Sequence, residues 1–203
     1  MFCSFFVRYT SSYFNNKSNG IYVDIGAFDP NDISNTKKFY LKGWTGVNVD
    51  PNTSTINLFL KERPKDINLN VGISLKEERK LFFEMEPKYF STFSQLDALE
   101  SIKIYKGSKI LKNYDVDCIS LKTVFDKYAK KVDFLSIDVE GYELFVLKSN
   151  DWASFRPKLI IIEINRNTNE IFQFMKNIEY KLIYNNTTNG IFIDNQIQNN
   201  LLG

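Results

Sequence analysis

Acidic side chains recur at one kind of place in this chain, directly behind short apolar runs. The first run closes as Asp24-Ile25-Gly26-Ala27 and the second as Val49-Asp50-Pro51. Two later runs close as Ile137-Asp138-Val139-Glu140-Gly141 and Ile162-Glu163-Ile164-Asn165. Chance placement of 24 acidic residues among 203 would rarely put one at the end of every central run. A carboxylate beside a buried strand is costly to desolvate unless it serves something. Carboxylates so placed suit three kinds of chemistry: recognition of a hydroxylated or cationic cofactor, proton transfer, and ligation of a hard cation through oxygen.

Gly26 lets the backbone turn tightly and approach a ligand closely. Asp50 follows it by 24 residues, near the ~20-residue spacing at which an acidic residue on a second strand end holds ribose hydroxyls. The pair points to an adenosine-containing cofactor. Gly-x-Gly-x-x-Gly is missing, because Ala27, Phe28 and Asp29 follow Gly26, so a dinucleotide pyrophosphate fits poorly and a nicotinamide-dependent dehydrogenase is disfavoured. A single glycine and an acidic loop are compatible with the sulfonium and ammonium of S-adenosylmethionine. Asp24, Gly26, Ala27, Asp50 and Asp138 are the expected cofactor contacts.

Composition narrows the alternatives. The chain has no histidine, which excludes a Ser–His–Asp triad, a histidine base and a histidine-ligated metal. A net charge of +2 gives no electrostatic case for nucleic acid as the main partner. No apolar run reaches the ~18 residues of a membrane span. Cys3 and Cys118 match no zinc or redox spacing, so a reduced, cytoplasmic protein is expected. Hydrophobic residues at 43% and charged residues at 25% are those of one globular domain spanning 1–203.

The elements that must position these carboxylates alternate between strand and helix. Strands are expected over Ile21–Ile25, Thr45–Val49, Asp66–Ile73, Val132–Ile137 and Pro157–Ile162, then Lys181–Tyr184 and Ile191–Ile193 joined by a turn. Leu159-Ile160-Ile161-Ile162, unbroken by polar residues, suits a parallel strand covered on both faces. Helices are expected over Thr36–Leu41, after Pro51-Asn52 with Ile56, Phe59 and Leu60 inward, after an N-capping Ser120, and through Ile171, Phe174, Met175 and Ile178. This pattern gives an α/β fold with a mostly parallel, doubly wound sheet and an antiparallel C-terminal strand. Met1–Phe14, without a basic start or a long apolar stretch, is expected to be a terminal helix rather than a signal peptide, so that residues 1–19 cover the first strand. Residues 75–119, rich in Phe, Tyr and Lys, are too long for a simple connection and are expected to run over one end of the sheet, shaping the acceptor site.

Ile21-Tyr-Val-Asp-Ile-Gly-Ala-Phe-Asp-Pro30, Ser34-Asn-Thr36 and Phe39-Tyr-Leu-Lys-Gly-Trp44 resemble the amino-terminal block of FkbM-type S-adenosylmethionine-dependent methyltransferases. Asp133-Phe-Leu-Ser-Ile-Asp-Val-Glu-Gly-Tyr-Glu143 resembles their second signature, and Arg156–Glu163 fits the strand that follows. The resemblance implies a Rossmann-like class I methyltransferase fold, bound S-adenosylmethionine and methyl transfer to an oxygen, often a hydroxyl of a sugar, a glycan or a sugar-containing metabolite. Ser91-Thr92-Phe93-Ser94 resembles a further family element and is expected to hydrogen-bond an acceptor. The amino terminus lacks the acidic or amide-bearing segment of many relatives, which motivates the alternative of a cofactor-binding interaction protein without catalytic activity.

The acceptor proton sets the chemical problem. An alcohol has a pKa near water's ~15.7 and a free Asp sits near ~3.9, so complete prior transfer would cost on the order of 15 kcal/mol. A carboxylate serves only if the proton moves during methyl transfer or if burial raises its pKa. Glu140 is the expected proton acceptor, with Asp138 beside it, and Glu143 is expected to be structural. The other solution is a divalent metal such as Mg²⁺ held by Asp138, Glu163 and Asn165.

Overall fold

The computed structural model describes residues 13, 14 and 17–196. Cys3 and nearly all of the expected covering helix, Met1–Phe14, lie outside them. The chain forms a seven-stranded sheet in the order β3-β2-β1-β7-β8-β10-β9 and a three-stranded sheet in the order β4-β6-β5. In the larger sheet β1 (Ile21–Ile25), β2 (Thr45–Val49), β3 (Ile67–Leu69), β7 (Phe134–Ile137) and β8 (Leu159–Glu163) are parallel. β10 (Asn189–Asp194) is antiparallel to both β8 and β9 (Tyr180–Asn185). The fold is therefore the expected α/β one, with a single reversed strand near the C-terminal edge.

Register explains why the strand-end carboxylates matter. Ile25 pairs with Val49 on one side and Ile137 on the other, and Ile137 pairs with Ile162. The residues that follow these four emerge together along the carboxyl edge of the sheet. Strand order reverses between β1 and β7, the crevice where open parallel sheets bind ligands.

Both faces of the sheet are covered, as the apolar runs require. Ile160 and Ile162 pack with Val23, Ile25, Val146 and Phe125 on one side, whereas Leu159 and Ile161 pack with Tyr22, Phe39 and Trp44 on the other. Burying each such side chain contributes ~1.5–3 kcal/mol. The covering helices are α1 (Lys37–Leu41), α2 (Thr53–Glu62), α4 (Leu121–Tyr128), α5 (Glu143–Lys148) and α6 (Thr168–Asn177). Asn52 caps α2 by accepting from Ser54 N, and Ser120 caps α4 by accepting from Thr123 N.

Two expectations need correction. The run 66–73 is split: Ile67–Leu69 joins the large sheet, while Gly72–Ile73 (β4) pairs with β6 (Lys109–Ile119) in the small one. Asn70 marks the break, donating to the carbonyls of Asp50 and Pro51. Leu60 is 53% exposed, and Thr55 takes a place on the buried face of α2. The stretch 75–119 holds ordered elements: β5 (Glu78–Glu86) pairs antiparallel with β6, and a 3₁₀ turn (Lys88–Phe90) and α3 (Gln95–Ile104) lie between them. Phe82, Phe83 and Met85 of β5 are buried, whereas Tyr89 and Tyr105 are about half exposed.

Candidate active site

One cavity is lined by Asp24, Gly26, Ala27, Asp50, Asp138 and Glu140, at the carboxyl ends of β1, β2 and β7. Four carboxylates from three strand ends thus face a shared hollow. Phe28 and Asn35 border it from the loop after β1, and Tyr89, Thr92 and Phe93 border it from the segment between β5 and α3. Gly26 is indispensable to the turn. Its φ is +77°, and a Cβ there would lie 1.8 Å from the Asp138 carbonyl oxygen.

Each cofactor-side carboxylate is held by local donors. Asp50 Oδ1 accepts from the Asn52 N–H at 2.7 Å and Oδ2 from the Phe28 N–H at 3.1 Å, which ties the second strand's loop to the first. Burial nonetheless pushes the Asp50 carboxyl up to about 6, against the pull of those two N–H groups. Asp24 Oδ2 accepts from Thr36 Oγ1 at 2.7 Å. Burial raises Asp24 as well, opposed by Thr36, Arg63 and Ser136.

Beside the cavity, carboxylate oxygens of Asp138, Glu140 and Glu163 lie within 4.8 Å of one another. Three like charges this close in a buried site do not all ionise. Burial raises all three; repulsion from Asp24 adds to it at Asp138, and repulsion from Asp138 adds to it at Glu140 and Glu163. Glu163 Oε2 is buried with no hydrogen-bond partner among the described residues. Asn165, the expected third metal ligand, donates its Nδ2–H to Glu163 Oε1 at 2.7 Å. The third carboxylate of the group is Glu140.

The loop carrying Glu140 is unusual. Glu140 has φ +52° and Gly141 φ +95°, a left-handed pair that a non-glycine residue adopts only when its surroundings enforce it. Glu143 does so from the first turn of α5: fully buried, its Oε1 accepts from the N–H groups of Val139 and Gly141 at 3.0 and 3.1 Å. Burial pushes Glu143 up to about 7. Thr92 secures the loop from the other side, its Oγ1 donating to the Glu140 carbonyl at 3.0 Å. The hydroxyls of Ser91-Thr92-Phe93-Ser94, expected to hydrogen-bond an acceptor, also have partners within the protein. Ser91 Oγ accepts from Met85 N, Thr92 is engaged at Glu140, and Ser94 caps α3.

Arg63 escaped the sequence reading. At the carboxyl end of α2, it is 1% exposed and reaches the loop after β1. A signal existed: Ile56, Phe59 and Arg63 follow helical spacing, so the arginine continues the buried stripe.

The sheet order and the switch-point crevice are those of a Rossmann-like α/β fold. The model of the methyltransferase FkbM domain matches residues 24–182. This chain belongs to that family and is a methyltransferase, for which the family implies S-adenosylmethionine as methyl donor. Among solved structures, it is similar to a fibrillarin/Nop5p complex at 12% identity and a TM-score of 0.44, covering 87% of this chain and 72% of that one. It is also similar to the O-methyltransferase from Bacillus cereus in complex with SAH at 10% identity and a TM-score of 0.43, covering 94% and 80%. No curated protein matches the chain. Among the described residues, no helix is long and apolar enough to cross a membrane.

Proposed function

We propose that the protein transfers the methyl group of S-adenosylmethionine to a hydroxyl of a sugar, a glycan or a sugar-containing metabolite. The supporting observation is that Asp24, Asp50 and Asp138 open onto the same cavity as Glu140, so cofactor carboxylates and a proton acceptor are neighbours. Asp50 accepts from the ribose hydroxyls, while Asp24 and Asp138 face the ammonium and sulfonium. Gly26 and Ala27 allow close approach of the backbone. The segment 75–119 supplies the acceptor side, where Phe28 and Tyr89 meet edge to face at 6.4 Å and offer apolar surface to a sugar ring.

The reaction breaks the sulfur–methyl bond as the hydroxyl oxygen attacks in line, and the hydroxyl proton passes to Glu140. Alignment of the two reactants supplies ~7–11 kcal/mol. Each unit by which burial raises the Glu140 carboxyl narrows the proton mismatch by ~1.4 kcal/mol. The sulfonium's positive charge favours the carboxylate form of the cluster, so Glu140 becomes a base when the cofactor is bound. Methyl-labelled S-adenosylmethionine incubated with carbohydrate fractions tests this reading. Label should enter a glycan fraction with the wild type and largely disappear with Glu140→Gln and Asp138→Asn at saturating cofactor. Unchanged label in both variants would reject Glu140 and Asp138 as catalytic groups, and no label above background with the wild type would support the non-catalytic, cofactor-binding alternative.

A second reading rests on the unpartnered Glu163 Oε2. Three clustered carboxylates fit a hard divalent cation such as Mg²⁺ by donor chemistry, and Asp138, Glu140 and Glu163 would hold it. Bound there, the cation would lower the pKa of a nearby hydroxyl. Calorimetric titration of SAH-saturated protein with Mg²⁺ should then give a 1:1 isotherm that Glu163→Gln abolishes; no heat at millimolar Mg²⁺ rejects this reading. A cytoplasmic protein acting on small acceptors rather than nucleic acid completes the proposal. The free Cys118 is buried, and burial pushes its thiol up to about 11, as for a structural thiol in a reduced compartment.

A further inference from the structure

Arg63 is among the largest fully buried side chains, and among the described residues no carboxylate forms an ion pair with it. Its guanidinium is instead spread over neutral oxygens. Nη1 donates to Thr36 Oγ1 at 2.7 Å and to Tyr22 Oη, itself a donor to Asp66, at 3.5 Å; Nη2 donates to Ser34 Oγ at 2.8 Å and to the Pro30 carbonyl. Phe59 and Tyr40 present their rings to it at 5.0 and 5.5 Å. A buried cation without a carboxylate partner is expensive, and its bonds converge on the loop that borders the cavity. The hydroxyl of Thr36 accepts from Arg63 and donates onward to Asp24 Oδ2 at 2.7 Å. Thr36 itself is fully buried. Arg63, Thr36 and Asp24 thus form a directed chain of hydrogen bonds from a permanent cation to a cavity-lining carboxylate.

We propose that Arg63 is a positioning residue for the methyl donor: through Thr36 it holds Asp24 oriented and ionised toward the donor's cation, and through Ser34 and Pro30 it fixes the loop bordering the donor. The inference rests on the reading of Asp24 as a donor contact. Besides Arg63, the ionisable groups whose fields reach Asp24 are Asp66, Asp50 and Asp138. All three are acidic and oppose its ionisation, so Arg63 is the cation in this group of described neighbours that favours it. Burial already pushes Asp24 upward, and loss of the relay pushes it further.

SAH binding, measured by calorimetry from pH 6 to 9, tests the relay without any acceptor. Thr36→Val keeps the side-chain shape and severs the relay. It should weaken SAH binding roughly tenfold or more at pH 7, in keeping with loss of a hydrogen bond to a charged group. The deficit should shrink toward pH 9, and Thr36→Ser should restore both affinity and pH profile. Arg63→Met should reproduce the Thr36→Val profile; where it does not fold, Thr36→Val decides. Wild-type affinity and pH profile in Thr36→Val overturn the relay if Asp24→Asn binds SAH weakly. If Asp24→Asn also binds normally, the reading of Asp24 as a donor contact fails.

Discussion

Glu140 is forced into a left-handed backbone conformation by two side chains that touch its loop from opposite sides, Glu143 and Thr92. The arrangement aims its carboxyl at Asp138 and Glu163, where repulsion and burial favour the protonated form. Glu140→Gln keeps the shape and removes the base, so turnover should fall by roughly 10²–10⁴-fold while SAH affinity stays within about threefold of wild type. Kinetics and calorimetry on the same preparation check both halves. Asp50 offers a different pH signature. Its carboxyl, raised to about 6, must be ionised to accept from ribose hydroxyls. SAH affinity should therefore rise between pH 5 and 7, and Asp50→Asn should flatten that rise, leaving the part that Asp138 contributes.

At the scale of elements, a hydrogen bond and an ion pair are among the contacts that pin the insertion between β4 and α4 to the strand-end loops. Thr92 bonds the Glu140 carbonyl, and Asp97 on α3 forms an ion pair with Arg166, which also lies 3.7 Å from Glu100. Gly141 also lies close against α3: a Cβ there would lie 2.5 Å from Asp97 Oδ2. Breaking the Arg166 ion pair should loosen this insertion without unfolding the sheet, since the large hydrophobic core does not include α3. Hydrogen exchange across 87–105 should accelerate in Arg166→Ala, with the strands β1, β7 and β8 protected as in wild type. Unchanged exchange in 87–105 would show that Thr92 and the β5–β6 pairing suffice.

Across the whole molecule, six buried or half-buried carboxyls (Asp24, Asp50, Asp138, Glu140, Glu143 and Glu163) are displaced upward. Each binds its proton more tightly folded than unfolded, so its contribution to stability is full below the unfolded value and is lost as pH rises through the folded one. Asp133, lowered by Lys158 and Lys17, acts in the opposite sense and only in acid. Without ligand the protein should melt at lower temperature at pH 8 than at pH 6, by scanning fluorimetry at constant ionic strength. SAH at 100 times its Kd should add ~2.7 kcal/mol, or roughly 5–10 °C for a chain of this size. A melting temperature that rises from pH 6 to 8 in the free protein would contradict this electrostatic picture.

The parallel strands, their order of appearance and the carboxylate behind each were legible in the chain, because they depend on neighbours one to four residues apart. An apolar run needs two covered faces wherever it sits, and a strand-end acid is local to its strand. Leu60 could be misplaced because helical spacing predicts a stripe but not its width. The split of 66–73 went unread although Gly72 stands two residues past the point where Asn70 leaves one sheet for another. Asn165, Glu140 and Arg63 show what spacing leaves open. That Glu140 meets Glu163, and that a buried guanidinium at Arg63 reaches Thr36, depend on side chains more than 20 residues apart meeting across the sheet edge. Those choices come from packing between elements and from the cost of leaving a buried charge unsatisfied, and neither is encoded in any short window of residues.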